Sequence, residues 1–163
     1  MAFVKLTLNF VSERAQVGND TKVWHFAYIG DNAVVGNNVI IGALAHIDYD
    51  VEIGDNTKIE GHAYIPPLSK IGKNVFIGPG VVLTNDPYPM CNKLKGVTIK
   101  DNSVIGARAV IKAGVTIGKN SIVAMGSVVT RDVPENSVVI GTPATIRYTR
   151  EEYDKKQRRW KES

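Results

Sequence analysis

The sequence predicts an all-β protein of the solenoid type, a parallel β-helix built from hexapeptide repeats. Three observations predict it: an aliphatic residue recurs at every sixth position, a small or β-branched residue follows it by four, and Gly, Asn or Asp fills many turn positions between them. A helix would need a period near 3.6 and a flat strand a period of two, so neither explains this pattern. The aliphatic column comprises Val17, Val23, Ile29, Val35, Ile41, Ile47, Ile53, Ile59, Ile65, Ile71, Ile77 and Leu83, then, in a new register, Ile99, Ile105, Ile111, Ile117, Val123 and Val129.

The repeat predicts a triangular prism. Each hexapeptide supplies one short strand and one turn, and three hexapeptides make one coil, so the chain should form about six coils stacked at about 4.8 Å. The small residues face inward at the corners, and Gly, Asn and Asp tolerate the positive φ of tight turns. We name the faces by their aliphatic residues: Ile59 and Ile77 lie on face A, Ile65 and Leu83 on face B, and Ile71 on face C.

The two ends depart from the repeat. Residues 3–10 alternate loosely between polar and apolar side chains, and we expect them to cap the N-terminal coil. Thr149 and Glu152 have the spacing of a capping box, which predicts a C-terminal helix through about Lys161. Pro and Gly residues between positions 134 and 143 predict a loop that connects the prism to this helix.

The register breaks once, between Leu83 and Ile99. The extra residues should leave the prism at the corner between faces B and C, as a loop of residues 84–98. Loops on rigid scaffolds tend to carry function, whereas the alternative is a tolerated insertion. The predicted organisation is one β-helix domain over residues 1–148, with this loop inserted, and a helical tail over residues 149–163.

Composition excludes several classes. The chain has 163 residues, a net charge of +4 and one cysteine, Cys91, so no internal disulfide framework exists. The basic stretch from Arg147 to Lys161 fits a solvated helix better than a nucleic-acid site. Neither a membrane-spanning apolar run nor a signal peptide in residues 1–10 is evident, so we expect a cytoplasmic protein without nucleic-acid or membrane partners.

Three segments carry a family resemblance. Residues 23–29, VWHFAYI, are followed by residues 76–89, in which FIGPGVVLTND precedes Tyr88 and Pro89, and by residues 139–144, VIGTPA. Together with the hexapeptide repeat, these segments resemble the acyl-CoA-dependent acetyltransferases of the left-handed β-helix superfamily. Within it they are similar to the N-acetyltransferases of nucleotide-linked amino sugars. The resemblance spans about residues 15–148.

The resemblance implies a left-handed prism, a homotrimer, and acetyl-CoA bound as co-substrate in a groove between neighbouring prisms. The acceptor would be the amine of a 3-amino or 4-amino sugar on UDP or dTDP, and no metal is expected. The pattern departs where Met90 follows Pro89 instead of Arg, and where residues 58–62 read KIEGH. The identity of the sugar therefore stays open.

Acetyl transfer to an amine needs a neutral amine, stabilisation of the developing oxyanion, and departure of the thiolate. We expect His62 to act as a general base and Asn85, whose amide both donates and accepts hydrogen bonds, to contact the sugar. A surface histidine is the alternative for His62, and a turn-stabilising role is the alternative for Asp86. The expected substrate-binding residues are Glu60, Tyr64, Asn85, Asp86 and Tyr88. The expected cofactor-binding residues are Gly106, Ala107, Ala124, Gly126, Arg131, Pro143, Ala144 and Arg147.

Two other functions remain open on the sequence alone. One is an O-acetyltransferase that uses His62 on a small hydroxyl acceptor. The other is a metal-binding β-helix protein similar to the γ carbonic anhydrases, because His25, His46 and His62 should lie near the A–B corner in successive coils. Their spacings of 21 and 16 residues lack the His-x4-His segment of that class.

Overall fold

A computed structural model describes residues 8–163 and shows a parallel β-solenoid with three faces and a short C-terminal helix. Most strands are only two residues long, and the second residue of each is the aliphatic one of the column. Face A contains β3 (Lys22–Val23), β6 (Ile40–Ile41), β9 (Lys58–Ile59), β12 (Phe76–Ile77), β15 (Val104–Ile105), β18 (Ile122–Val123), β20 (Ser137–Gly141) and β21 (Ala144–Thr149). Face B contains β1 (Phe10–Val11), β4 (Tyr28–Ile29), β7 (His46–Ile47), β10 (Tyr64–Ile65), β13 (Val82–Leu83), β16 (Val110–Ile111) and β19 (Val128–Val129). Face C contains β2 (Gln16–Val17), β5 (Val34–Val35), β8 (Glu52–Ile53), β11 (Lys70–Ile71), β14 (Thr98–Ile99) and β17 (Thr116–Ile117).

The aliphatic columns form the core, as the period predicts. Equivalent residues of successive coils are paired in register, for example Ile29 with Ile47 and Ile47 with Ile65 on face B. From Ile29 to Val129 every aliphatic residue of the column is buried, whereas Val17 near the N-terminal end is 39% exposed. Burial of this continuous column is the main stabilising force of a solenoid, because each coil covers the next.

The solenoid is deeper than the repeat alone predicts. Face B holds seven strands within the described residues, against about six predicted coils. The difference arises at the ends. Phe10–Val11 extends the six-residue spacing by one step before Val17, and Ser137–Gly141 continues the stack without that spacing. The predicted N-terminal cap lies largely in residues 1–7, outside the described residues.

The corners differ in what supports them. Most turns place the residue three after the column aliphatic at positive φ, and at the C–A corner this residue is Asn or Asp, such as Asn38, Asn56 and Asn74. Their side chains form a ladder, in which Asn38 Nδ2 donates to Asn56 Oδ1 at 2.8 Å. These residues adopt the left-handed region at low cost, so this corner is built for stability.

The single break in the repeat lies where the sequence predicts it. The chain leaves face B after Leu83 and re-enters face C at Thr98, where β14 pairs with β11 and β17. The loop therefore covers residues 84–97, one residue shorter than predicted at its C-terminal end, because Thr98 already belongs to a strand. We call it the 84–97 loop.

The C-terminal region contains a hairpin that the sequence does not predict. The segment expected to be a loop forms β20 and β21, which pair antiparallel, and β20 pairs parallel with β18. The helix α1 (Arg150–Glu162) follows, and Thr149 and Glu152 form the predicted capping box. The Arg150 side chain fastens the helix by donating to the carbonyls of Asn102 and Asn120 at 3.1 and 3.2 Å. No helix in residues 8–163 is long and apolar enough to cross a membrane.

Candidate active site

Three clefts follow one another along the A–B corner. We name them the Trp24 cleft, the His62 cleft and the Tyr153 cleft, with volumes of about 510, 660 and 290 Å³. The Trp24 cleft is lined by Lys22, Trp24, Ile40, Gly42, Ala43, Lys58, Glu60, Gly61 and His62. The His62 cleft is lined by His62, Pro79, Gly80, Ala107 and Arg108. The Tyr153 cleft is lined by Val104, Gly106, Ala107, Ile122, Val123, Ala124, Met125, Val138, Tyr148 and Tyr153.

The A–B corner carries side chains that its backbone does not favour. The positive-φ position that holds Asn or Asp at the C–A corner holds Phe26, Leu44, His62 and Arg108 here. Bulky residues in the left-handed region are uncommon and cost free energy. Backbone of this kind gathers at functional sites. The A–B corner has four such residues, against Leu68 at the B–C corner, and is therefore the better candidate for a functional site.

His62 lies in the turn between β9 and β10 with its side chain exposed. Its backbone N–H donates to the carbonyl of Ala43 at 3.1 Å, and Gly80 N–H donates to the carbonyl of Gly61 at 3.0 Å. These bonds tie three successive turns together, so the imidazole projects from a rigid corner. His62 lines both the Trp24 cleft and the His62 cleft, and therefore stands where the two meet.

Charged groups flank His62 on both sides. In the Trp24 cleft the Glu60 carboxylate lies 2.7 Å from Lys58 Nζ. Arg108 lines the His62 cleft from the turn that lies two coils beyond His62. Its backbone N–H donates to the Pro79 carbonyl at 2.9 Å. The guanidinium is a permanent cation with five donors, so this cleft suits an anionic group.

The Tyr153 cleft contains several predicted cofactor residues. Gly106, Ala107 and Ala124 form one wall, and Tyr148 of β21 and Tyr153 of α1 form the other. Gly126 continues the same corner with a positive φ of 67°, and a Cβ there would meet no atom within 4 Å. The lining is mostly apolar and the small residues expose backbone, which suits the narrow arm of a ligand.

The other predicted cofactor residues lie elsewhere. Arg131 follows β19 at the B–C corner, across face B from the clefts. Pro143, Ala144 and Arg147 belong to the hairpin of β20 and β21, where Ala144 packs against the core. The structure therefore brings four of the eight predicted cofactor residues together at the A–B corner. The hairpin adjoins this corner, since Gly141 N–H donates to Ser127 Oγ at 3.1 Å, whereas Arg131 lies apart from it.

The 84–97 loop lies at the B–C corner, on the far edge of face B from His62. Asn85 and Asp86 are half-buried, and Tyr88 is 76% exposed with Lys112 Nζ at 6.0 Å from its ring centroid. The two carboxylate oxygens of Asp86 accept backbone N–H groups of Tyr88 and Cys91, each at 2.9 Å. Asp86 thus holds the loop in shape, which is the turn-stabilising alternative that the sequence left open.

Face B itself carries a stack of rings. Phe10, Tyr28, His46 and Tyr64 follow one another with centroid separations of 4.9, 4.4 and 5.5 Å. The Tyr64 hydroxyl donates to Asp48 at 3.3 Å, and burial, followed by the negative charge of Asp48, raises the pKa of Tyr64. Tyr64, a predicted substrate residue, therefore lies on face B and not in the clefts with Glu60 and His62.

The histidine arrangement predicted for a metal is only partly present. His25 and His62 lie at the A–B corner, two coils apart, but His46 lies on β7 of face B, stacked against Tyr28. The prediction that all three share the corner is wrong for His46, because this residue is the first of strand β7. No group of three His, Cys, Asp or Glu side chains in residues 8–163 could hold a metal ion.

Several cleft residues were not among the predicted site residues: Lys22, Trp24, Lys58, Arg108, Tyr148 and Tyr153. For Arg108 a sequence signal exists, since it occupies a turn position filled by Asn at the C–A corner. For Tyr148 and Tyr153 none exists, because their position depends on the unpredicted hairpin.

The comparison with protein families agrees with this architecture. Residues 14–49, 32–67 and 50–85 match the family described as bacterial transferase hexapeptide, six repeats. Residues 96–131 match the family described as hexapeptide repeat of succinyl-transferase. The matches together span well over half of the chain and leave out the centre of the 84–97 loop. Over these residues the chain is similar to the hexapeptide-repeat transferases and shares their repeat fold. Among curated proteins, none matches it by sequence.

Solved structures give a similar result. A hexapeptide-repeat acetyltransferase from Vibrio cholerae is 28% identical with a TM-score of 0.61, covering 82% of this chain and 73% of that one, and it has also been solved with acetyl coenzyme A. PerB from Caulobacter crescentus, in complex with CoA and GDP-perosamine, is 25% identical with a TM-score of 0.54, covering 86% of this chain. WeeI from Acinetobacter baumannii is 27% identical with a TM-score of 0.59, covering 84%. The alignments span only 55% and 57% of PerB and WeeI.

Proposed function

We propose that this protein is an acetyl-CoA-dependent N-acetyltransferase that acetylates the amino group of a nucleotide-linked amino sugar. The observation that carries the proposal is the position of His62, which lines two clefts that extend from it in opposite directions along the solenoid axis. A base shared by two clefts suits a reaction between two substrates, since it touches the atom that one gives to the other.

The cofactor side is assigned to the C-terminal direction. The Vibrio cholerae acetyltransferase binds acetyl coenzyme A and PerB binds CoA, so the fold accommodates this ligand. From His62 to Ala124 is three coils, or about 14 Å at the usual strand spacing. We place the pantetheine arm of acetyl-CoA along Gly106, Ala107, Ala124 and Gly126, with its thioester in the His62 cleft.

The acceptor then approaches from the N-terminal side, across Glu60. The neutral amine attacks the thioester carbonyl, forming an N–C bond, and the His62 imidazole accepts the proton that the amine gives up. The Arg108 guanidinium supplies positive charge beside the oxyanion. Collapse breaks the C–S bond, and the CoA thiolate takes the proton from the His62 imidazolium as it leaves, which leaves an amide, free CoA and a neutral imidazole.

In this proposal the 84–97 loop contributes to the active site of a neighbouring subunit. Within one chain, the width of face B separates His62 from Asn85, Asp86 and Tyr88. We propose a homotrimer in which the loop of one subunit reaches the A–B corner of the next, and Asn85 contacts the sugar. Asp86 contributes by fixing the loop, and Tyr88 by covering the sugar.

Thiol release from acetyl-CoA in the presence of UDP-linked, dTDP-linked and GDP-linked amino sugars tests the proposal, with the hydroxyl analogues and free sugars as controls. We expect release only with amino-sugar nucleotides. Release with hydroxyl acceptors alone would instead indicate an O-acetyltransferase, and no release with any amine would overturn the proposal.

The role of His62 is tested by His62→Asn, because Asn adopts positive φ at the C–A corner and should keep the turn. We expect kcat to fall by about 10²-fold or more, with an unchanged melting temperature, because the general base is lost. His25→Asn is the matched control, two coils away at the same corner. An equal effect of the two variants would contradict the assignment.

A further inference from the structure

The Trp24 cleft has a composition that catalysis at His62 does not require. It has a volume of about 510 Å³, within the range of small-molecule sites, and extends two coils beyond His62 toward the N-terminal end. A sugar amine beside Glu60 and His62 would leave the part around Lys22 and Trp24 unfilled. The question is what chemistry this outer part recognises.

Trp24 offers an aromatic surface on a rigid base. The Trp24 side chain is 55% exposed, although burial of a tryptophan side chain is strongly favourable in free energy. Its backbone N–H donates to the carbonyl of Ile41 at 2.9 Å, so the turn that carries it is fixed to the next coil. An exposed, fixed indole suits stacking against a planar base, an interaction that tolerates different bases.

Two lysines provide positive charge at the same place. Lys22 and Lys58 are the outward residues of β3 and β9, and both are in register with Ile40 between them. Their Cα atoms are therefore about 10 Å apart at the usual strand spacing. Lys58 pairs with Glu60, whereas no carboxylate of residues 8–163 lies within 4.0 Å of the Lys22 ammonium. The cleft thus has one unpaired cation, which suits a phosphate group.

The groups occupy two levels of the solenoid: Trp24 and Lys22 lie two coils before His62. Lys58, Glu60 and His62 follow one another within a single coil, from face A to the corner. We infer that the Trp24 cleft binds the nucleoside diphosphate part of the acceptor, with the base against Trp24 and the diphosphate near Lys22 and Lys58. This inference rests on the proposed function, since it places the sugar and its amine beside Glu60 and His62.

CoA also carries a nucleoside diphosphate, so the two sources of this chemistry must be distinguished. If the cleft serves the acceptor, then UDP or GDP alone should inhibit competitively against the sugar nucleotide and not against acetyl-CoA. Competition against acetyl-CoA alone would mean that the cleft holds the adenosine end of the cofactor, and would overturn the inference.

Kinetics of Trp24→Ala and Lys22→Ala provide the first test. We expect the KM for the sugar nucleotide to rise about 10-fold or more in each, while kcat and the KM for acetyl-CoA stay within about threefold. Trp24→Phe should recover much of the loss, because it restores a ring. Trp160→Ala is the matched control, since Trp160 is 81% exposed on α1. An unchanged KM in Trp24→Ala would refute the inference.

A binding test separates this inference from the proposed reaction. The chain has two tryptophans, Trp24 and Trp160, so Trp160→Phe leaves Trp24 as the only indole reporter. Titration of this variant with UDP and GDP should change its fluorescence with saturation, and Lys22→Ala added to it should weaken binding about 10-fold. Saturable binding of UDP or GDP without acetyl transfer to any amine would contradict the proposed function alone. Acetyl transfer by the wild type, without binding of UDP or GDP at the Trp24 cleft, would contradict the inference alone.

Discussion

Individual residues of this prism are best understood by comparing equivalent turn positions. The backbone at Asn56 and at His62 has nearly the same φ, 58° and 60°, yet one side chain belongs to a hydrogen-bonded ladder and the other points into two clefts. Asn adopts this conformation at a lower free-energy cost than histidine does, so His62 is a candidate for a role outside the turn itself.

Charge pairs at the C–A corner should make the stability of the prism sensitive to acid. Asp55 accepts a hydrogen bond from Lys73 Nζ at 2.8 Å and another from the Asn37 backbone N–H at 2.9 Å, and these interactions hold the pKa of Asp55 below its usual 3.8. A carboxyl whose folded pKa is depressed stabilises the fold above its unfolded pKa. That stabilisation is lost as the pH falls through the folded value.

Asp55→Asn should therefore lower the melting temperature at pH 7, and the difference from the wild type should disappear as the pH drops well below 3.8. Thermal unfolding followed by circular dichroism from pH 2 to pH 7 measures this. Glu135→Gln is the control, because its carboxylate has no ion-pair partner within 4.0 Å in residues 8–163. A difference that persists undiminished at pH 2 would show that Asp55 stabilises the corner by its shape and not by its charge.

Among the elements, the 84–97 loop is held in place near its first and last residues. Near its start, the Asn85 carbonyl accepts the Lys95 backbone N–H at 2.8 Å. Where it returns, Gly96 lies against the turn of the preceding coil, and a Cβ on this residue would be 2.1 Å from the Leu68 carbonyl oxygen. The atoms in the way are backbone atoms of Leu68 and Ser69, which cannot move aside as a flexible side chain can. Only glycine therefore fits at this position.

Gly96→Ala should displace the return of the loop and destabilise the protein by about 1–3 kcal/mol, the usual cost of overpacking. Urea unfolding measures the loss, and limited proteolysis should show faster cleavage within residues 84–97. Asn92→Ala, at an exposed position of the same loop, is the control. If Gly96→Ala unfolds at the same urea concentration as the control, the close approach to Leu68 is not a constraint.

The elements also show how far sequence alone leads. Periodicity specifies the three columns and the corner at which the chain departs after Leu83, and the Thr149–Glu152 spacing specifies the capping box, because each depends on a local pattern. Neither signal specifies the hairpin of β20 and β21, whose register is set by pairing with β18. The Tyr153 cleft depends on that hairpin and on α1, so its aromatic wall could not be predicted, whereas Gly106, Ala107 and Ala124 could.

On the scale of the whole molecule, the candidate site is divided. His62 and the clefts occupy one edge of face B, the 84–97 loop occupies the other, and the ring stack of Tyr28, His46 and Tyr64 lies on the strands between them. A straight solenoid cannot bend to bring its two edges together, since every coil is hydrogen-bonded to the next. If both edges serve one reaction, they must meet between two copies in a closed ring.

This arrangement predicts complementation between two inactive variants. His62→Asn removes the base and Asn85→Ala removes the sugar contact, and each alone should be nearly inactive. In a cyclic oligomer assembled from equal amounts of both, about one quarter of the interfaces pair an intact His62 with an intact Asn85 of the neighbour. Co-refolding the two variants should therefore restore about one quarter of wild-type activity, whereas mixing them without subunit exchange should restore none.

Size-exclusion chromatography of each variant would establish that assembly is preserved before activity is compared. A combination of His62→Asn with Lys100→Ala provides the control, since Lys100 is exposed at the C–A corner, away from both edges of face B. Because Lys100→Ala alone should remain active, activity there should simply follow the fraction of intact His62, about one half. Full inactivity of the co-refolded His62→Asn and Asn85→Ala pair would mean that the two residues act within one chain or that Asn85 is needed for folding, and the shared site would have to be abandoned.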